Sequence, residues 1–258
     1  MHTWNPSDVD RDRADRDRAD RDRYDSPDTF DLHGRPRRSD GRWPLAGAAA
    51  AVLGALGSFV LGWDPDEGIT QAGTDAIYRE AGEHGSVIRA GASLGFVAVA
   101  ALIVFAAGFT RALGRRAPDS LAVPVMRTAF GAAAACLIFA FGLKHVLAGG
   151  VPGGIDDNFY TPADVEVFSV LVSQMQYAAW WGVVLAAAAA AVLAFSGPRV
   201  LPRWFGAVSV ALSGISIGAT LLVGLPYSAG LLAPLWLLAA AVAAYRIRPA
   251  DAARGRHR

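Results

Sequence analysis

The amino-acid sequence predicts an all-α fold, an integral membrane six-helix bundle with a disordered, charged N-terminal tail. Three observations lead there. The chain of 258 residues is 53% hydrophobic, and from residue 43 onward Ala, Leu, Val, Gly and Phe gather into six runs. Each run is close to the roughly 20 residues that a helix needs to cross a bilayer. The charges sit in short clusters between the runs, and the clusters alternate between arginine-rich and acidic. A water-soluble domain with so many long apolar runs would have no polar face left for solvent.

Residues 1–42 form the tail. Residues 11–25 read RDRAD, RDRAD, RDRYD, a repeat of alternating charge with almost nothing apolar in it. Ordering such a segment loses entropy without burying surface, so disorder is expected. Aspartates cancel its arginines nearly one for one, and no nucleic-acid partner is expected. Only Arg35, Arg37, Arg38 and Arg42 form an uncompensated basic cluster, next to the first span. The long polar start does not resemble a cleavable signal peptide, and the first apolar run is expected to act as an uncleaved anchor.

Residues 43–248 form the membrane domain. The first span is expected from Pro44 to Gly62, bracketed by Trp43 and Trp63. Their separation corresponds to about 30 Å of helix, which puts one indole at each interface. The remaining spans are expected at Val87–Thr110, Val125–Ala148, Gln176–Phe195, Trp204–Gly224 and Ser228–Tyr245. Residues 249–258 form a short basic tail. Thr161-Pro162-Ala163-Asp164 reads as a helix start, with Thr161 as cap and Pro162 in the first turn. A helix from there to Phe195 would be about 50 Å long. Either it projects beyond the bilayer, or Ala163–Ser173 forms a separate interfacial helix.

The loops set the orientation. Arginines mark the tail before span one, the loop after span two (Arg111, Arg115, Arg116, with Arg127 nearby), the loop after span four (Arg199, Arg203) and the C-terminal tail. With six spans these all lie on one side. The other side carries Asp64, Asp66, Glu67, Asp75, Glu80 and Glu83, then Asp156, Asp157 and Asp164. The positive side is cytoplasmic. Both termini are therefore expected in the cytoplasm, with the bundle in the cytoplasmic (inner) membrane. Arginine in place of lysine, with abundant Ala and Gly, suggests a GC-rich bacterial genome.

Small residues recur at four-residue spacing: Gly54, Ser58 and Gly62; Gly91 and Gly95; Gly214 and Gly218. Such spacing lets helix backbones approach closely in lipid. The fifth span adds Ser209, Ser213, Ser216 and Thr220. These hydroxyls fit a packing seam that bonds to backbone carbonyls better than a solute path.

Lys144 and His145, near the outer end of span three, are the ionisable residues closest to membrane depth. Lys144 is expected to pair with Glu166, with Arg89, Gln174 and Gln176 nearby. Arg89, Lys144, His145 and Glu166 are thus the solute-pathway candidates, as parts of a charged outer vestibule. The simpler alternative has Lys144 snorkel to the interface. Glu80 and His84 share a helix face, but no third ligand accompanies them and no metal site is expected. Asp156 and Asp157 after Gly153-Gly154 read as a turn. One cysteine, Cys136, cannot form an internal disulfide. Phosphate-loop, HExxH and GxSxG motifs are missing, as is a second histidine near a span for haem. No cofactor, catalytic residue or enzyme activity is expected.

The segment Gly197-Pro198-Arg199-Val200-Leu201-Pro202-Arg203-Trp204-Phe205-Gly206 before an apolar helix resembles the LPRWLG turn of actinobacterial six-helix multi-pass membrane proteins of unknown function. The short final hairpin through Leu225-Pro226-Tyr227 and the acidic first outer loop are similar too. The resemblance spans residues 43–246 loosely. It implies a six-helix bundle and no particular activity. Two functions are expected from the residues themselves. The first is a non-enzymatic component that packs in the lipid bilayer as a homo-oligomer or with other membrane proteins. The second is a small transporter or permease subunit.

Overall fold

In the computed structural model, residues 41–196, 200–224 and 226–254 are described, with side chains to Arg246. The charged repeat of the N-terminal tail lies outside the described residues. Among the described residues every regular element is helical. In chain order these are α1 (Trp43–Ala55, continued by a π turn Leu56–Val60), α2 (Glu67–Ala72), α3 (Thr74–Glu83), α4 (Gly85–Gly114), α5 (Ala122–Gly150), α6 (Pro162–Ala178), α7 (Trp181–Phe195), α8 (Arg203–Val223) and α9 (Ser228–Arg254).

Six helices are long and apolar enough to cross a membrane: Trp43–Val60, Gly85–Gly114, Ala122–Gly150, Pro162–Phe195, Arg203–Val223 and Ser228–Arg246. The chain is a multi-pass membrane protein. Two spans depart from expectation. The first is shorter, closing at Val60 in a π turn where Leu61 N–H bonds to the Leu56 carbonyl. Trp63 lies past its end, stacked on His84. The fourth starts where Thr161 caps it: its hydroxyl accepts from Asp164 N–H and the Asp164 carboxylate accepts from Thr161 N–H, a capping box. Its break falls at Ala179–Trp180, not at Ser173. No proline stands there. The turn drives the Trp180 indole into the bundle, where a Cβ on Gly54 would meet its ring and where Nε1 faces Ser58 Oγ at 3.4 Å.

The spans close into a ring. α4 packs between α1 and α5, α7 packs on α5, and α9 returns to α1; α8 lies outside, against α7 and α9. Only 22% of the most apolar stretch of α8 is buried, against 61% for the Pro162–Phe195 run. Close approach is confined to particular glycines. A Cβ on Gly57 would sit 2.7 Å from the Gly91 carbonyl oxygen, and one on Gly91 would overlap the Leu61 carbonyl. Gly182 is likewise pressed on the backbone of Ala129 and Ala133. Gly214 and Gly218 have nothing beside them, so the spacing that marks a seam in α4 marks an open face in α8.

Aromatic rings fill the half of the bundle near the arginines. Phe105 stacks on Phe109 at 5.2 Å and meets Phe130 edge-on; Phe205 joins Phe109 to Trp236. Phe105, Phe109, Phe130, Phe205 and Trp236 are all buried, each removing a large apolar area from its surroundings. The turn into α8 is held by buried Val200, Leu201 and Phe205. Residues 197–199 of that turn lie outside the described residues. The Arg246 guanidinium lies 5.7 Å above the Trp204 ring, a cation–π contact.

Candidate functional site

The opposite half, bearing the acidic loops, holds the polar chemistry. Its centre is Lys144 on α5, the only lysine in the chain and 1% exposed. The last carbonyls of a helix have no partner within it. Here the Lys144 ammonium donates to the Gly57 carbonyl in the π turn of α1, at 2.7 Å. A cation at a helix C-terminus also meets the negative end of its dipole. Room for the ammonium comes from two glycines, since a Cβ on Gly91 would lie 3.1 Å from Nζ and one on Gly62 3.4 Å away. Lys144 therefore caps the first span from a neighbouring helix. It does not snorkel to the surface.

The expected partner of Lys144 is corrected. The carboxylate coupled to it electrostatically is Asp64, four residues past the π turn. No direct ion pair forms between them. Glu166 lies half-buried on α6, where its backbone carbonyl accepts from Ser169 Oγ at 2.7 Å. The structure separates the other two candidates as well. Arg89 donates to the Ala148 carbonyl at 3.2 Å and so caps the end of α5. His145 is exposed on the outward side of α5. These four residues do not converge on one site.

Other residues do converge. Asp64, Pro65, Ser169, Gln174, Tyr177 and Tyr227 line a recess of about 380 Å³ at the acidic end. The volume falls within the range of small-molecule sites. The Tyr177 ring stacks on Phe59 at 5.2 Å and meets Tyr227 edge-on at 5.6 Å. The Tyr227 hydroxyl donates to Gln174 Oε1, tying the α8–α9 connection to α6. Asp64 stays accessible at the mouth. The protein packed around it raises its carboxyl above the ordinary range, and the Lys144 ammonium opposes that shift. Asp64, Tyr177 and Tyr227 were missed in the sequence. The clue was an acidic Asp64-Pro65-Asp66 segment directly after an unusually short apolar run.

On the hydroxyl face of α8 three side chains are hydrogen-bonded, and the Ser216 hydroxyl is buried without a partner among the described residues. Ser213 donates to the Ser209 carbonyl at 2.6 Å and Thr220 to that of Ser216 at 2.9 Å. Ser209 Oγ accepts from Trp236 Nε1 at 2.9 Å. The void beside Ser216 has no room for a water. His84 turns Nδ1 to the Glu80 carbonyl at 3.0 Å, and among the described residues no three His, Cys, Asp or Glu side chains converge to hold a metal. Gly153 N–H donates to the Asp157 carboxylate at 3.1 Å, with Gly153 at φ +80°, so the pair of aspartates does form a turn. Cys136 is exposed on α5. Comparison with family models, curated proteins and solved structures gives no match to this chain.

Proposed function

We propose that this chain is a non-enzymatic component of a bacterial cytoplasmic membrane that works by packing with partners in the bilayer, both termini facing the cytoplasm. The observation that carries this reading is the use of interior polar groups. Lys144 is spent on the Gly57 carbonyl, Ser213 on its own helix and Ser209 on Trp236, while the Ser216 hydroxyl is closed off in the packed interior. Groups held this way are unavailable to a passing solute or a reaction. The loosely covered α8 leaves a long apolar face for a neighbour.

Cysteine accessibility tests it. Ser213→Cys in a Cys136→Ser background is treated with a charged, membrane-impermeant thiol reagent in intact cells and in inverted vesicles. Protection from both sides, with full labelling after denaturation, is expected. Labelling from either side would replace this reading with a hydrated path. A C-terminal alkaline phosphatase fusion is expected to be inactive, and an active one would reverse the orientation. A small transporter is the second reading, favoured by the polar recess at Asp64 and Tyr177. Solute-dependent stabilisation of the purified protein, lost in Asp64→Asn, would support it.

A further inference from the structure

The other end of the bundle carries a second recess, of about 430 Å³, between α4 and α5. Its walls are of two kinds. Ile103, Ala107, Phe130 and Gly131 make an apolar part, and Arg111 and Arg127 stand with them at the arginine-rich end. Ile103 lies about 12 Å along α4 from Arg111, so the groove runs from the charged end towards mid-span. The space beside Gly131 is open, since a Cβ there would meet nothing within 4 Å. Thr110, also in the wall, turns its hydroxyl to the Ala106 carbonyl at 2.7 Å. That leaves the two guanidiniums as the free polar groups. Both arginines are exposed, and neither is ion-paired among the described residues.

We propose that this recess is a binding site for an anionic phospholipid, its phosphate held between Arg111 and Arg127 and an acyl chain lying along Ile103, Ala107 and Gly131. The chemistry follows from the site's position. α4 and α5 are membrane-spanning helices, so the groove between them opens on lipid. Guanidinium forks match phosphate oxygens in pairs, and basic pockets between spans suit anionic headgroups. Among the described residues from 42 to 246 the segments at this end carry seven arginines against one carboxylate, Asp119, so the field favours an anion. The proposal is independent of the packing role, because it concerns a groove that a protein partner on α8 would not cover.

The test uses the full chain purified in detergent, with binding of dioleoylphosphatidylglycerol and dioleoylphosphatidylcholine measured by native mass spectrometry. Preferential binding of phosphatidylglycerol is expected. Arg111→Gln with Arg127→Gln should weaken it about 30-fold, the effect of two arginines at a membrane surface. Gly131→Leu keeps the charge and fills the groove, and should weaken it several-fold. Arg203→Gln, at the same end outside the recess, should change it little. Equal binding of the two lipids, or equal losses from Arg203→Gln and the double variant, would overturn the proposal. Competition by inorganic phosphate with no effect of Gly131→Leu would also overturn it, leaving an anion site without a lipid.

Discussion

Two glycine pairs with the same spacing have opposite surroundings. Gly91 and Gly95 on α4 lie against the end of α1 and the Phe141 ring, where an added Cβ would overlap its neighbours. Gly214 and Gly218 on α8 face open space. Spacing alone says that two backbones are able to approach. It does not say that a second backbone is there. In α4 the partner comes from the same chain, and the approach is used twice: it brings α1 close and it leaves room for the Lys144 ammonium. In α8 the same pattern remains outside the bundle, so its neighbour is lipid or another chain.

Substitution at the buried pair should give the largest effect. Gly91→Ala places a methyl into the Leu61 carbonyl, which is backbone and cannot swing aside. Overpacking of this kind costs up to about 3 kcal/mol or more. Unfolding of the detergent-solubilised protein should show it, and a loss as small as that of an α8 variant would break the comparison. Lys144→Met is expected next. It leaves the Gly57 carbonyl buried without a donor, a loss of about 1–3 kcal/mol in the same unfolding measurement. A neutral result would mean that the carbonyl finds another donor and that Lys144 is not the cap. Gly214→Ala should be neutral or stabilising by up to about 1 kcal/mol, from helix propensity in open space. Destabilisation there would reveal a contact from a second chain, which a repeat at high protein dilution would remove.

The smallest effect concerns Asp64 and pH. Its carboxyl is raised in the folded protein, so the folded state binds this proton more tightly than the unfolded chain does. Where the group is ionised in both states, the partial desolvation of its charge opposes folding. As pH falls through the folded value the carboxyl is protonated and that opposition disappears. Asp64→Asn should therefore exceed the parent in Tm at pH 7, and the gap should narrow towards pH 4. A gap that widens on acidification would mean that the Lys144 attraction outweighs burial.

The spans were legible because apolar length is a property of the sequence itself, and the Thr161 cap because its residues act on each other three positions apart. The break at Ala179–Trp180 was not. It carries neither proline nor glycine and is set by where the Trp180 ring goes. The partner of Lys144 was hidden for another reason. It is a backbone carbonyl 87 residues away, and every residue has one, so no residue type signals it. Glu166 had the right charge but lies on α6 without an ion pair. The small-residue pattern was legible as a pattern, and only the packing separated its two uses.

The short first span has a mechanical consequence. From Trp43 to Val60 it runs 18 residues, about 27 Å if fully α-helical, and the π turn shortens it further. Its neighbour α4 has 30 residues, of which the 21 between Arg89 and Arg111 are uncharged, about 32 Å. The hydrophobic rim of the bundle is therefore uneven in height. A bilayer about 30 Å thick in its hydrocarbon would thin beside α1, at a fraction of a kcal/mol per Å, while the uncharged stretch of α4 matches it and its ends reach the headgroups. The dimple this creates would sit above Asp64 and Lys144, bringing headgroups and water down to the one place where the first span ends early.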